Sequence, residues 1–196
     1  MSNVRQHLNT PSTEVLSWVE YRLRAVAIGR LALRHALTWD QAPSIEILFD
    51  GKQIIEGKAT AFTNGAIEAA IIHARALLEF LGLGGEGQTK LRELSSRRKT
   101  DLGIEQFFGL SQVSIQRAAA SYPGPPEEAE ASLAYVIHLA NKGLAHVTSS
   151  FSKHVAGSSL LEVAFRGVSA LMVNNFYVPL HIEPPEFEPR GRKRVV

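Results

Sequence analysis

The segment from Lys58 to Leu81 constrains the fold most strongly, because its pattern is helical and its apolar residues point to almost every side. A helix of this kind has to be covered by several neighbouring elements. Glu68, His73, Arg75 and Glu79 interrupt the apolar run, which indicates a buried helix and not a membrane span. The sequence therefore predicts that this segment is the central helix of a helical bundle.

Four further helices are predicted from capping residues, breaks and apolar stripes. In chain order they cover about 11–36, 100–120, 127–148 and 159–177. Glu20 and Arg24 are expected to form an exposed pair on the first of them. Ser159 and Glu162 have the spacing of a capping box at the start of the last helix. These helices have short connections, as an antiparallel bundle requires.

Residues 44–57 change from a helical period to a period of two, and Asp50-Gly51 lies between two apolar runs. This pattern predicts a short β-hairpin. Residues 82–87 contain four glycines and end the central helix, and the basic stretch that follows, up to Lys99, is interpreted as a mobile loop. The predicted fold is mainly α, an antiparallel bundle of about five helices with one short β-hairpin. It forms a single domain over 1–180, followed by an extended basic tail over 181–196.

Composition limits the chemistry. The 196 residues include no cysteine, which excludes disulfides, cysteine-bound zinc and thiol nucleophiles. The seven histidines show no His-x-x-x-His pair, and no phosphate-binding glycine loop or nucleophile elbow occurs. We therefore expect no metal site and no cofactor. Without a signal peptide or an uninterrupted apolar span, the chain is expected to be cytoplasmic and not membrane-bound.

The first polar cluster lies on the central helix and consists of Glu68, His73, Arg75 and Glu79. On a helical wheel Glu68, Arg75 and Glu79 fall within about 40° of one another, while His73 lies roughly 160° from Arg75. The favoured interpretation is an interhelical ion pair plus a core histidine that is hydrogen-bonded to backbone. The functional alternative is a polar cluster that lines a cleft between helices.

The second cluster is Asn141 to Thr148, where Lys142 and His146 share the face opposite the apolar stripe. A cation beside a histidine lowers the imidazole pKa, which suits a general base or a hydrogen-bond acceptor. The alternative is an exposed pair without a function. Gly143 inside a helix indicates the close approach of another backbone or a ligand.

The chain resembles a group of uncharacterised bacterial helical proteins in three segments. Residues 73–80 match a His-Ala-Arg helix of that group, 101–108 match an acidic-aromatic segment, and 141–148 match an Asn-Lys-x-x-Ala-His-x-Thr helix. More loosely, the chain resembles the HEPN superfamily of helical bundles, several of which are RNA-cleaving toxins or nucleotide-binding modules. Those nucleases use an arginine, a polar residue and then a histidine, usually paired across a dimer. Here Lys142 replaces the arginine and the spacing to His146 is one residue shorter, while Arg30 to His35 has the spacing without the polar residue.

Three functions therefore stay open, and with them whether the chain is an enzyme. One of them is the binding of a small ligand between helices, which the sequence does not separate from the other two. The favoured one is a non-catalytic helical interaction or binding module that forms a homodimer or holds a partner protein. The alternative is a HEPN-like protein that binds or cleaves RNA, with His146 as base and Lys142 or Arg75 stabilising phosphate charge. The candidate binding residues beside these three are His73, Glu79, Asn141, Arg97 and Arg98.

Overall fold

The computed structural model describes residues 10–122, 124–144 and 158–186. Over these residues the protein is mainly helical, with five α-helices and two antiparallel two-stranded hairpins, which confirms the predicted fold class. The helices are α1 (Thr13–Ala36), α2 (Thr60–Leu81), α3 (Ile115–Ala120), α4 (Pro126–His138) and α5 (Ser158–Met172). The strands are β1 (Ser44–Phe49), β2 (Lys52–Lys58), β3 (Leu83–Glu86) and β4 (Lys90–Glu93).

Helix α2 lies at the centre and packs against α1, α4 and α5. Its buried residues are Ala70, Ile71, Ala74, Leu77, Leu78, Phe80 and Leu81, and they belong to one continuous core. Full burial of a leucine side chain stabilises the fold by about 1.5–3 kcal/mol. One side of α2 is less covered than its composition predicts, because Ile72 is exposed.

Helix α1 lies antiparallel to α2 and approaches it closely at Gly29, which is buried. A Cβ atom added to Gly29 would overlap the Cβ of Ala70 and lie 2.7 Å from the carbonyl oxygen of Ala66. No larger residue fits unless the helices move apart. This contact therefore fixes the spacing of the two longest helices.

Local signals in the sequence predict the ends of these first elements well. The Ser12 hydroxyl accepts a hydrogen bond from the backbone N–H of Val15 and caps α1. Asp50 and Gly51 both have positive φ, at 50° and 79°, as a tight hairpin turn between β1 and β2 requires. Gly82 ends α2 in the left-handed conformation.

The predicted mobile loop after α2 is wrong, because β3 and β4 form a second hairpin that packs on the core. Leu83 and Leu91 are buried. The glycines serve close packing: a Cβ on Gly84 would lie 3.0 Å from Leu94, and one on Gly85 would lie 3.0 Å from Ile137 of α4. A glycine-rich segment of this kind has the same composition as a flexible linker, so the sequence alone does not distinguish a packed strand from a loop.

The predicted helix over 100–120 is also wrong. The chain forms a single 3₁₀ turn at Ile104–Gln106, continues without regular structure, and becomes helical only in α3. The Ser114 hydroxyl caps α3 by accepting from the backbone N–H of Arg117 at 3.2 Å. Ile104, Phe107 and Val113 are buried as separate anchors. Gly109, with a φ of 78°, is incompatible with a continuous helix through this region.

The last two long helices, α4 and α5, are each followed by a π-helical turn. Helix α4 begins with Pro126 and continues beyond His138 as a π-helical turn over Leu139–Gly143, while α5 continues as one over Val173–Tyr177. The predicted capping box is wrong. Helix α5 already includes Ser158, so Ser159 is not its N-cap. The carboxylate of Glu162 forms an ion pair with Arg30 of α1, with Nε to Oε1 at 2.9 Å. Residues 145–157 and 187–196, and with them most of the predicted tail, lie outside the described residues.

Among the described segments, none of the helices combines the length and the apolar character that crossing a bilayer requires.

The contact at Gly29 predicts opposite effects for the same substitution on α1 and α2. Gly29→Ala should lower the free energy of unfolding by about 1–3 kcal/mol, because the added methyl group overpacks the interface. The matched control is Gly65→Ala on α2, where an added Cβ meets no atom within 4 Å. There alanine should raise stability by about 0.5–1 kcal/mol through its helix propensity. Urea unfolding measures both, and a stabilising Gly29→Ala would contradict the close approach.

Candidate functional site

A cleft of about 660 Å³ lies between the first half of α1, the second half of α2 and the segment 94–102. We call it the arginine cleft. Its charged lining consists of Arg22, Arg75, Arg97, Arg98, Glu79 and Asp101. Its apolar lining includes Val15, Trp18, Val19, Phe80 and Leu102. The volume falls within the range of about 300–1,000 Å³ that small-molecule sites have.

Helical spacing explains why these side chains meet. Trp18 and Arg22 are four residues apart on α1 and therefore lie on the same face. The same spacing places Arg75 and Glu79 together on α2. The close packing of the two helices then brings both faces to one cleft.

Arg97 holds the third wall in place and is itself largely buried. Its side chain is 8% exposed and pairs with Glu105, with Nε to Oε1 at 2.7 Å and Nη2 to Oε2 at 3.2 Å. The same guanidinium donates to the carbonyl oxygens of Glu79 and Phe80 at the end of α2. Arginine at a helix C-terminus satisfies carbonyls that have no partner in the helix. Arg97 therefore ties the segment 94–102 to α2 and uses four of its five N–H donors within the protein.

The charge of Arg97 also determines the state of Glu105. Burial raises the pKa of the Glu105 carboxyl, but the hydrogen bonds and charge of Arg97, with a further hydrogen bond from Gln112, outweigh burial and lower the pKa overall. A lowered pKa keeps the carboxylate ionised and the pair intact at neutral pH. Within the cleft wall, the charge of Arg97 is thus cancelled.

Arg75 forms its ion pair within α2, with Nη2 at 2.7 Å from Oε1 of Glu79. Their spacing of one turn predicts this pair, and the structure confirms it. The favoured interpretation of an interhelical ion pair is wrong, since both partners are on one helix. The two side chains are 36% and 40% exposed, so the pair lies at the open side of the cleft. The Nε of Arg75 is buried without a hydrogen-bond partner in the described part of the chain. Glu68, the other acidic residue of this cluster, is exposed and lies outside the arginine cleft.

Arg22 is held differently, by the side chain of His73. Its Nη1 lies 3.0 Å from Nδ1 of the imidazole. Since a guanidinium only donates, Nδ1 must accept, and the imidazole is then neutral with its proton on Nε2. The prediction of a core histidine bonded to backbone is wrong, because His73 is half-buried and bonds to a side chain. Tyr21 packs edge-on against the ring at 5.1 Å.

The environment of His73 favours the neutral form. Burial lowers the pKa of the imidazole below its ordinary value of 6.5, and the charge of Arg22 lowers it further. His73 can therefore orient Arg22 without neutralising it. This distinguishes Arg22 from Arg75 and Arg97, each of which has a carboxylate partner.

Arg98 and Asp101 complete the charge of the cleft. Both side chains are exposed at its edge, and no ion pair joins either of them to another described residue. The backbone N–H of Asp101 donates to the carbonyl of Arg98, which closes a turn between them. The four arginines of the cleft face three carboxylates, those of Glu79, Asp101 and Glu105, so one positive charge is in excess. Arg22 and Arg98 are the two cleft arginines that form no ion pair with another described residue.

The cleft brings together only part of the predicted site. Arg75, Glu79, Arg97 and Arg98 line it, and His73 lies behind it as the partner of Arg22. Asn141 and Lys142 are exposed on the π-helical turn after α4 and do not line the cleft. His146 lies outside the described residues, so a meeting of Arg75, Lys142 and His146 stays a prediction.

Trp18 and Arg22 line the cleft but were not among the residues predicted from the sequence. Both lie off the buried stripe of α1, which includes Val15, Val19 and Leu23. The sequence did contain one signal for them, a tryptophan one turn from an arginine on an outward face of α1. A large aromatic side chain that is not buried in the core is available to contact a ligand.

A second, mostly apolar cavity of about 470 Å³ lies between the end of α1, the start of α2, Leu144 and Leu161. It adjoins the chain on both sides of residues 145–157, which the structure does not describe. We therefore assign no site to it. Within the described ranges, no group of three or more histidine, aspartate or glutamate side chains has the geometry to hold a metal ion.

Comparisons with protein-family models, with curated proteins and with solved structures found no match to this chain.

The burial of Arg97 predicts a large effect of its loss on stability. Arg97→Ala should lower the free energy of unfolding by about 3–5 kcal/mol, because it leaves the Glu105 carboxylate buried without its partner. The matched control is Arg24→Ala, which removes the exposed pair with Glu20 that the sequence predicted and the structure confirms. That control should cost less than about 1 kcal/mol. Equal losses in denaturant unfolding would contradict the structural role of Arg97.

The lowered pKa of His73 predicts a loss of stability in mild acid. His73 takes up its proton at a higher pH in the unfolded chain than in the folded one. The stability that the neutral imidazole contributes is therefore present above pH 6.5 and is lost as pH falls through the pKa of His73 in the folded state. His73→Asn keeps an acceptor for Arg22 and removes the titration. Unfolding free energies measured between pH 8 and pH 5 should fall more steeply for the wild type than for the variant, and parallel curves would contradict this assignment.

Proposed function

We propose that the protein is a non-catalytic helical binding module and that the arginine cleft holds an anionic ligand. The observation that carries the proposal is the pairing of Arg22 with a neutral His73. A guanidinium that is oriented but not neutralised is suited to receive a negative group from outside.

The chemistry of the lining supports an anion in two ways. Arginine presents a planar set of donors that matches carboxylate and phosphate oxygens, and such charge-assisted hydrogen bonds are about twice as strong as neutral ones. The walls on both sides of Arg22 are partly apolar, through Val19, Leu77 and Phe80. Apolar walls reduce the screening of the charge by water.

The described lining of the cleft supports binding more than catalysis. It includes no histidine, and His73 faces Arg22 instead of the cavity. Ser96 and Thr100 contribute hydroxyl groups, but none of the described side chains is placed against either of them as a base. A hydroxyl without a base is a weak nucleophile.

The alternative is the HEPN-like protein that binds or cleaves RNA. Its support is the sequence resemblance, together with the position of Arg75, Arg97 and Arg98 around one cleft. RNA cleavage by the wild-type protein that is lost in His146→Ala would favour this alternative over the binding module. Wild-type protein that leaves RNA intact would remove the catalytic part of it.

Binding of inorganic phosphate provides the direct test of the cleft. Arg22→Ala should weaken saturable binding about 10-fold to 100-fold, since a hydrogen bond to a charged group contributes about 1.5–3 kcal/mol. The matched control is Arg24→Ala. Arg24 is two residues from Arg22 on the same helix but does not line the cleft, so this variant should bind the anion with nearly unchanged affinity.

The readout is a titration followed by amide chemical shifts in low-salt buffer. The expected shifts cluster in the first half of α1 and in 94–102. Equal affinity in the two arginine variants, or shifts spread over other surfaces, would overturn the assignment of the cleft.

A further inference from the structure

We infer that the ligand of the arginine cleft is a small aromatic phosphate, in which a planar ring is joined through a short spacer to a phosphate group. This inference rests on the proposed function and specifies its ligand. It comes from the arrangement of one aromatic side chain, one apolar floor and one excess cation along the same wall.

Trp18 supplies the surface for the ring. Its side chain lines the cleft, yet 50% of the residue is exposed. An indole that is not needed to fill the core presents a flat face on which a planar ring can stack, and stacking of a base on an aromatic side chain contributes about 1–3 kcal/mol. The position of Trp18 therefore selects for a ligand with a ring.

The floor beside Trp18 is apolar and is part of the packed core or in contact with it. Val15, Val19 and Leu102 line it together with Phe80, which is 8% exposed. The ring of Phe80 is fixed by an edge-to-face contact with Phe176 at 5.2 Å. A floor of this kind favours the apolar body of a ring over a bare, fully hydrated anion.

The phosphate end is defined by Arg22. It lies one helical turn from Trp18, about 6 Å along the axis of α1. A ring on the indole and an anion on the guanidinium are thus separated by the length of a short spacer, not by that of a long chain. Arg98, with the hydroxyl groups of Ser96 and Thr100, lines the same cleft and supplies further donors to phosphate oxygens.

Charge and size favour a monophosphate. The cleft has an excess of one positive charge, and Glu79 and Asp101 also line it, so a ligand with many negative charges would meet carboxylates as well as arginines. The same carboxylates can accept hydrogen bonds from amino or hydroxyl groups of the ligand. A nucleoside monophosphate has all of these features, either as a free molecule or at the end of an oligonucleotide.

The test uses the full chain with Trp39→Phe, which leaves Trp18 as its only tryptophan. Trp39 lies at the second cavity and not in the arginine cleft. Adenosine 5′-monophosphate, adenosine and inorganic phosphate are titrated separately. The monophosphate should quench the fluorescence of Trp18 saturably and bind at least about 10-fold more tightly than either fragment, because it uses both the indole and the guanidinium.

Two variants separate the ring from the phosphate, with calorimetry as the readout. Trp18→Leu should reduce the affinity for the monophosphate to that for inorganic phosphate, while Trp18→Tyr should restore most of it through its aromatic face. Circular dichroism verifies that both variants fold. An unchanged affinity in Trp18→Leu would overturn the inference.

The outcomes also separate this inference from the proposed function. If inorganic phosphate binds as tightly as the monophosphate, and Arg22→Ala weakens both, the cleft is an anion site and the aromatic ligand is wrong. If no probe binds, both are wrong. A 5′-phosphorylated tetranucleotide distinguishes the two sources of the ligand. If it binds more tightly than the free monophosphate, the ligand is the end of a nucleic acid, and if it binds equally tightly, the ligand is a free monophosphate. Both results support an aromatic phosphate as the ligand.

Discussion

The close approach of α1 and α2 at Gly29 is the contact on which the candidate site depends. Buried Gly29 lets the backbone of α1 lie against Ala66 and Ala70 of α2. Arg22 is seven residues before this contact on one helix, and His73 is three residues after Ala70 on the other. Because the helices are antiparallel and tightly spaced, the two side chains come within hydrogen-bond distance. Packing at a glycine thus determines the electrostatics of the cleft.

The arginines of the cleft have different tasks although their chemistry is the same. Arg97 is buried and stabilises the fold, since it joins Glu105 to the carbonyl oxygens at the end of α2. Arg75 is paired within its own helix. Arg22 has a neutral partner, so its charge remains to act on a ligand. A count of arginines in a cleft therefore says less about its ligand than the protonation state of the partner of each one.

Local patterns in the sequence predicted α1, the first hairpin and α2, because caps, turn residues and periodicity act over a few positions. The second hairpin was missed since Gly85 is required for packing against Ile137, 52 positions away, and such packing leaves no local signal. The cleft was predicted in part, through Arg75 and Glu79 at helical spacing. The bond between Arg22 and His73 joins residues 51 positions apart, and a single sequence does not reveal such a pairing.

Arg22 keeps an uncompensated charge because the group that orients it, His73, is a neutral acceptor. Nitrogen-15 NMR of the imidazole at pH 7 measures the protonation of this acceptor, because the two ring nitrogens report the proton separately. We expect an unprotonated Nδ1 and a protonated Nε2. A doubly protonated ring, or a proton on Nδ1, would contradict this expectation, since Arg22 would then have no acceptor there.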